Sequence, residues 1–243
     1  MSRAQQVKPW HHSGFELPLV NNLRLRERVL CDGCTLVPNV VDADSVHVLR
    51  REMATLVDEF YDGLTDNPDY WSYLAEGGRK RILYRIHNLE KQPDCPTIVG
   101  LFEQGHLHDL AAECLGESAF PTVCAAVIKL PHVGAPVPWH RDRDKVGPGR
   151  AVNISLYLHD SVARNGCLEI VPGSHTQGAD IDPDQWRRNH PVLAVTARPG
   201  DATVHDVRLA HGSGTNSTDT LCVRIVMEFR AASLPAAVLL DEE

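Results

Sequence analysis

The second half of the chain sets the strongest limit on its fold. From Pro121 onward the sequence breaks into short apolar or alternating runs: Val123 to Leu130, Val152 to His159, Cys167 to Val171, Val192 to Val195, Asp201 to His205 and Leu221 to Phe229. Alternation with period two marks strands buried on one face, and several such strands separated by turn residues point to an antiparallel sandwich or barrel. Asn165-Gly166, between the second and third runs, supplies the positive backbone angles of a tight hairpin. The first half has a different texture. Asp42 caps a helix in which Val46, Leu49, Met53, Leu56, Val57 and Phe60 fall at helical spacing, with Gly63 after its end. A second helix carries Leu107, Leu110, Ala111, Cys114 and Leu115 on one face and stops at Gly116. Between them, Thr65 to Gly78 is irregular and polar, a loop or a lid, and a strand follows from Arg81 to Leu89. No repeat or low-complexity linker divides the chain. The expectation is a single mainly β domain over residues 1–243, with a helical N-terminal elaboration to about residue 120 and a β-barrel-like body over about 121–230.

Composition narrows the function. With 243 residues, 43% of them apolar, the chain can bury a sizeable core without a disulfide scaffold. Its seven cysteines are an odd number at scattered spacings, which suits reduced thiols; Cys31-Asp-Gly-Cys34 has no second pair at zinc-finger spacing and reads as two ordinary buried thiols. A net charge of -8 without a basic block argues against a nucleic-acid partner. The longest mostly apolar stretch, Ala119 to Leu130, is interrupted by Pro121, Thr122 and Lys129, so no signal region or membrane span is expected and the chain reads as cytosolic. Nothing in the sequence fixes its oligomeric state.

Among 13 histidines, position decides which carry chemistry. His140-Arg141-Asp142 is the chain's one H-x-D, a match expected about once by chance in such a composition. Its context adds weight, because it follows the Pro131 to Pro136 turn after an apolar strand. Residues i and i+2 of an extended backbone point to the same side, so His140 and Asp142 can converge on one ion. A third ligand must then come from a distant strand, and His211, just beyond Asp201 to His205, is the best placed. Two imidazoles and one carboxylate suit non-haem Fe(II) with open coordination positions; a zinc site could use the same residues. Arg224 lies in the apolar strand Leu221 to Met227, where alternation puts Cys222, Arg224 and Val226 on one face. A buried guanidinium there needs an anionic partner, either an internal carboxylate or a bound one held bidentately.

These segments resemble a known family, the Fe(II)- and 2-oxoglutarate-dependent oxygenases of the phytanoyl-CoA dioxygenase type. The matching blocks are Trp139-His140-Arg141-Asp142, Asn165 to His175 (NGCLEIVPGSH), Gly200-Asp201, His211 to Ser217 (HGSGTNS) and Arg224, in order over roughly Arg81 to Phe229. The resemblance implies a double-stranded β-helix (jelly roll, cupin-like) with iron on His140, Asp142 and His211. It also implies that Arg224, with Ser213 beside it, holds the distal carboxylate of 2-oxoglutarate. It makes Asn153 and Ser155, which share a strand face with Tyr157, contacts to cosubstrate or substrate. Lys129 and His175 carry less: His175 reads as part of a structural turn, and no G-x-S-x-G elbow supports a hydrolase. The implied reaction consumes O2 and 2-oxoglutarate and releases succinate and CO2, with hydroxylation as the default outcome and ring closure, epimerisation or desaturation as alternatives. Asp142 fills the position that related halogenases leave small, so halogenation is not expected. The expected substrate is a small molecule in a natural-product tailoring step, selected by loops around Asp66 to Lys80, Lys145 to Gly149 and Gly178 to Asn189. Arg79, Lys80, Arg81 and Arg85 read first as a solvated basic face and second as a contact to an acidic substrate. Two other classes remain open: a metal-dependent isomerase or hydrolase on a cupin-like barrel, which would use the triad without 2-oxoglutarate, and a non-catalytic jelly-roll binding module, which would need neither.

Overall fold

A computed structural model describes residues 8–10, 24–63, 66–75 and 80–234. In chain order its strands are β1 (Lys8–Trp10), β2 (Cys34–Val37), β3 (Tyr70–Leu74), β4 (Arg81–Ile86), β5 (Ala119–Lys129), β6 (Val137–His140), β7 (Ala151–Tyr157), β8 (Leu168–Ile170), β9 (Leu193–Val195), β10 (Ala202–Asp206), β11 (His211–Ser213) and β12 (Cys222–Ala231). The helices are α1 (Leu25–Asp32), α2 (Ala43–Tyr61), α3 (Pro96–Glu103), α4 (His106–Leu115) and α5 (Pro183–Asn189). A seven-stranded sheet runs β2-β10-β7-β12-β5-β4-β3, and a five-stranded sheet runs β1-β9-β8-β11-β6. Apart from the parallel pair of β1 and β9, the ladders are antiparallel.

The two faces of the larger sheet divide the work. Val152, Ile154 and Leu156 of β7 and Val223, Ile225, Met227 and Phe229 of β12 pack with Leu49, Leu56, Ile98, Leu107 and Ala111 in one buried cluster. The helices cover this face because each buried aliphatic side chain there contributes about 1.5–3 kcal/mol relative to exposure. The intervening residues, Asn153, Ser155, Arg224, Val226 and Glu228, turn the other way and line a cavity. Alternation along two central strands thus separates the apolar core from the polar interior, as the Leu221 to Met227 pattern predicts.

Several elements differ from the sequence reading. The N-terminal part holds the expected strand β4 and two that were not expected, since β2 forms one edge of the larger sheet and β3, beside β4, the other. Tyr70–Leu74, within the expected irregular stretch, is a strand paired with β4 through a bulge between Trp71 and Ser72; Thr65 and Gly78, at the ends of that stretch, lie outside the described residues. The Asn165-Gly166 pair does not close a hairpin. The strands on either side of it belong to different sheets, and Gly166, at φ +78°, ends a short 3-10 turn at the crossover. A Cβ at Gly166 would lie 2.4 Å from the Gly214 carbonyl oxygen, so close backbone approach is a second reason for glycine there. Part of the Gly178 to Asn189 loop is α5, capped by Asp182. Asp42 caps α2 through Ser45 N, and Gly116 ends α4 in the left-handed region, as expected.

Candidate metal centre and active-site cavity

His140 closes β6, Asp142 lies two residues beyond it, and His211 opens β11 directly opposite His140 in the register. The pairing of these two short strands brings residues 71 positions apart onto one rung. One ligand atom from each of the three side chains lies within 4.8 Å of the others. His140 Nε2 is 3.3 Å from Asp142 Oδ1, and His211 Nε2 is 3.7 Å from Asp142 Oδ2. Metal–ligand bonds of about 2 Å place neighbouring ligand atoms about 3 Å apart, so a small contraction would seat an ion.

The ring tautomers are set for binding. His140 Nδ1 donates to the Pro138 carbonyl and His211 Nδ1 to the Leu209 carbonyl, each at 2.8 Å. A carbonyl can only accept, so both Nδ1 atoms carry the proton and both Nε2 lone pairs face Asp142. Burial is the largest influence on His211 and pushes its imidazole down to about 3. Burial also opposes ionisation of Asp142, but the facing imidazoles of His211, His140 and His205 outweigh it and hold the carboxyl well below the usual range. Of this pair Asp142 carries the charge and His211 stays neutral, because the imidazole is the more enclosed, its side chain 8% exposed against 26%. At His140 burial acts downward too, yet Asp142 and the Pro138 carbonyl prevail and raise it. A neutral imidazole and an ionised carboxylate are the forms in which a divalent ion is bound.

The triad opens onto a cavity of about 450 Å³. Asn153 and Ser155 of β7 line it; Asn153 Nδ2 donates to Asp142 Oδ2 at 2.8 Å and so orients the carboxylate. Arg224 lines it from β12, and its buried Nε has no partner among the described residues. Ser213 shares a strand face with His211 and its hydroxyl is buried and unpartnered, but it lines a neighbouring cleft beside Trp139 and Arg187. Tyr157, on the face of Asn153 and Ser155, is fully buried against Thr203. Lys129 is buried with its ammonium on the Ala135 and Gly214 carbonyls at 2.8 and 2.6 Å, and burial pushes it down to about 7. His175 sits in a buried turn with Nε2 on the Leu30 carbonyl, a structural role. Cys31 departs from the expected pair of buried thiols, since it is exposed while Cys34 is buried, and both are free.

Two cavity residues, His205 and Trp71, escape the sequence reading, and Arg85 does not take the first of its two expected placements. Arg85 was grouped with a solvated basic face, yet it lines the cavity with a buried, unpartnered Nε; Arg81 is exposed as expected, and Arg79 lies outside the described residues. His205, 3% exposed, turns toward Asp142 Oδ2 at 3.7 Å, with no hydrogen-bond partner for either ring nitrogen. Only its register opposite Asn153 reveals this placement. Trp71, 47% exposed, stands at the cavity wall against His87, with ring centres 4.1 Å apart.

A family model described as phytanoyl-CoA dioxygenase (PhyH) matches residues 29–225, which include the triad and Arg224. The chain belongs to the PhyH family. Among solved structures, AviO1 from Streptomyces viridochromogenes Tue57 is 39% identical, with a TM-score of 0.82 over 87% of this chain and 95% of that one. The L-proline trans-4-hydroxylase of Streptomyces griseoviridis is 29% identical over 184 residues, 73% of this chain. The chain spans 59% of that relative's length. The epimerase SnoN, solved with Fe3+, alpha-ketoglutarate and nogalamycin RO, shares the fold at a TM-score of 0.67 and 23% identity, over 86% of this chain and 83% of that one. The antiparallel two-sheet architecture of this PhyH member is therefore the jelly roll that its motifs imply. Among the described residues no helix is long and apolar enough to cross a membrane.

Proposed function

We propose that this PhyH protein is an Fe(II)- and 2-oxoglutarate-dependent oxygenase acting on a small molecule in a natural-product tailoring step. One observation carries the reading: two imidazoles and a carboxylate converge in a cavity whose wall also holds the buried Arg224, its Nε without a partner among the described residues. The donor set fits a ferrous ion, with positions left open for other ligands. An arginine so placed fits the far carboxylate of a keto diacid. The proline hydroxylase, and the epimerase solved with iron and alpha-ketoglutarate, support the same chemistry for this chain.

His140 Nε2, an Asp142 oxygen and His211 Nε2 would hold the ion. Bound there, iron and 2-oxoglutarate supply the activation of O2 and the oxidising power, with succinate and CO2 as by-products. Asn153 keeps the Asp142 carboxylate turned toward the site, and the carbonyls of Pro138 and Leu209 keep both imidazoles in the ligating tautomer. Arg224 anchors the cosubstrate and thereby orients its keto acid end, with Ser155 as a further polar contact. Val123, Val127, Val137, Leu168 and Val226 contribute an apolar part of the wall, which limits water beside the reacting centre. Hydroxylation is the default outcome; the substrate's position in the cavity selects between it and ring closure, epimerisation or desaturation.

Aerobic incubation with Fe(II) and 2-oxoglutarate tests the reading. The protein should release succinate, faster with a true substrate, and Asp142→Ala should reduce release at least 100-fold. Full turnover by that variant would overturn the ligand assignment, and turnover of a substrate without cosubstrate or oxygen would favour the isomerase class.

A further inference from the structure

One guanidinium in the cavity is left over once the charges of the proposed oxygenase are matched. Five cavity residues carry formal charge: Arg85, Arg143, Arg224, Asp142 and Glu228. Glu228 accepts from Arg143 Nε at 3.2 Å and from Arg230 Nε at 2.7 Å, and it also takes the Thr122 hydroxyl at 2.9 Å. Asp142 and the inner carboxylate of 2-oxoglutarate neutralise a divalent ion, and the outer carboxylate belongs to Arg224. Arg85 has no counter-charge in this set. No hydrogen bond or ion pair of its side chain occurs among the described residues, and its Nε is shut off from solvent without a partner. The residue is half-buried, and once a substrate displaces water from the cavity a cation there is costly unless an anion meets it.

The sheet register shows where that anion would lie. Trp71, Arg85, Val127, Arg224 and Tyr157 form one cross-strand row over β3, β4, β5, β12 and β7. Residues directly opposite one another share a face, and each strand adds about 4.8 Å, so the Arg85 and Arg224 backbones stand about 10 Å apart with Val127 between them. Arg224 lies next to fully buried Tyr157, at the inner end, whereas Arg85 lies next to exposed Trp71, on the side open to solvent. The cosubstrate's distal end thus occupies one cationic position of the row, and the other faces the entrance.

We propose that Arg85 binds an anionic group of the substrate, a carboxylate or phosphate, so that this enzyme acts on negatively charged small molecules. The inference rests on the oxygenase reading. Arg85 reaches in from the entrance side, toward His140 and Asp142, and Trp71 offers an apolar wall for the part of the substrate outside the cavity. A planar guanidinium holds such an anion through two parallel hydrogen bonds, which fixes its orientation as well as its position.

The test uses the anaerobic Fe(II)–2-oxoglutarate enzyme and methylphosphonate as a minimal anionic probe, with methylammonium as the charge-reversed control. Calorimetry should show binding of methylphosphonate and none of methylammonium. Arg85→Gln should weaken probe binding at least ten-fold, and Arg85→Lys should retain part of it. The visible charge-transfer band of bound iron and cosubstrate should remain in both variants and persist when the probe is added. Unchanged probe binding in Arg85→Gln, or no binding by the wild type, overturns the proposal. Weakened 2-oxoglutarate binding in the variant, or loss of the band on adding the probe, does so too, because the guanidinium or the probe site would then serve the cosubstrate. Absence of the band in the wild type would instead refute the oxygenase reading itself.

Discussion

At the residue scale, His140, Asp142 and His211 form a site through the way neighbouring atoms constrain them. The two Nδ1 hydrogen bonds settle the tautomers, and Asn153 fixes the carboxylate. Protonation predicts how the site responds to pH. His211 remains neutral down to about 3, whereas His140 is raised above the ordinary 6.5 while no ion is bound. The proton competing with a metal near neutrality therefore sits on His140. Metal affinity should fall as pH drops through that raised value, with about one proton released per ion bound there. Calorimetry in buffers of different ionisation enthalpy measures that proton, and His140→Ala should abolish its release. The triad and Arg224 were legible in the sequence because period-two alternation and a distant His-Gly-Ser block are local patterns. His205 was not, and Arg85 was open between two placements. A basic cluster looks alike whether solvated or turned inward, and only strand register places His205 opposite Asn153.

At the element scale, β5, β7, β8, β9, β10 and β12 were legible within a few residues, because a core on one side enforces their alternation, whereas the short strands β6 and β11, which carry His140 and His211, lie outside the expected strands. The edge strand β3 was not, since its Tyr-Trp-Ser-Tyr-Leu run has no such alternation and is held by β4 and a bulge. Asn165-Gly166 shows how a sound local signal is overridden. The pair does supply a left-handed glycine, but the chain uses it to cross between sheets, where the approach of the Gly214 carbonyl forbids a side chain. Gly166→Ala should therefore destabilise the fold by about 1–3 kcal/mol through strain and the backbone clash. Chemical denaturation checks this, and a variant as stable as the wild type would show that the crossover relaxes freely. The shift would also disturb Lys129, whose Nζ approaches the same point.

At the scale of the whole molecule, two sheets enclose a polar cavity while helices bury the outer face of the larger one. Such an interior keeps like charges and unpartnered donors together until ligands arrive: Arg85, Arg224, His205 and Ser213 all hold buried polar atoms without partners. Ligands that satisfy them should stabilise the fold. With Fe(II) and 2-oxoglutarate at about 100 times their dissociation constants, linkage gives about 2.7 kcal/mol per site. For a chain of this size each site raises the melting temperature by about 5–10 °C, about 10–20 °C for the two together, measurable by anaerobic differential scanning fluorimetry. Fe(II) alone should give only part of the shift. The two-sheet class was legible from texture, but the split into a helical first half and a barrel was too simple, because three early strands complete the larger sheet.

The most direct test of the account is anaerobic addition of Fe(II) and 2-oxoglutarate, followed by visible absorption. The account predicts a charge-transfer band in the wild type, its loss in Asp142→Ala, and at least a ten-fold higher 2-oxoglutarate requirement in Arg224→Ala. A wild-type protein that binds Fe(II) yet shows no band, or an Arg224→Ala variant that titrates like the wild type, would contradict it.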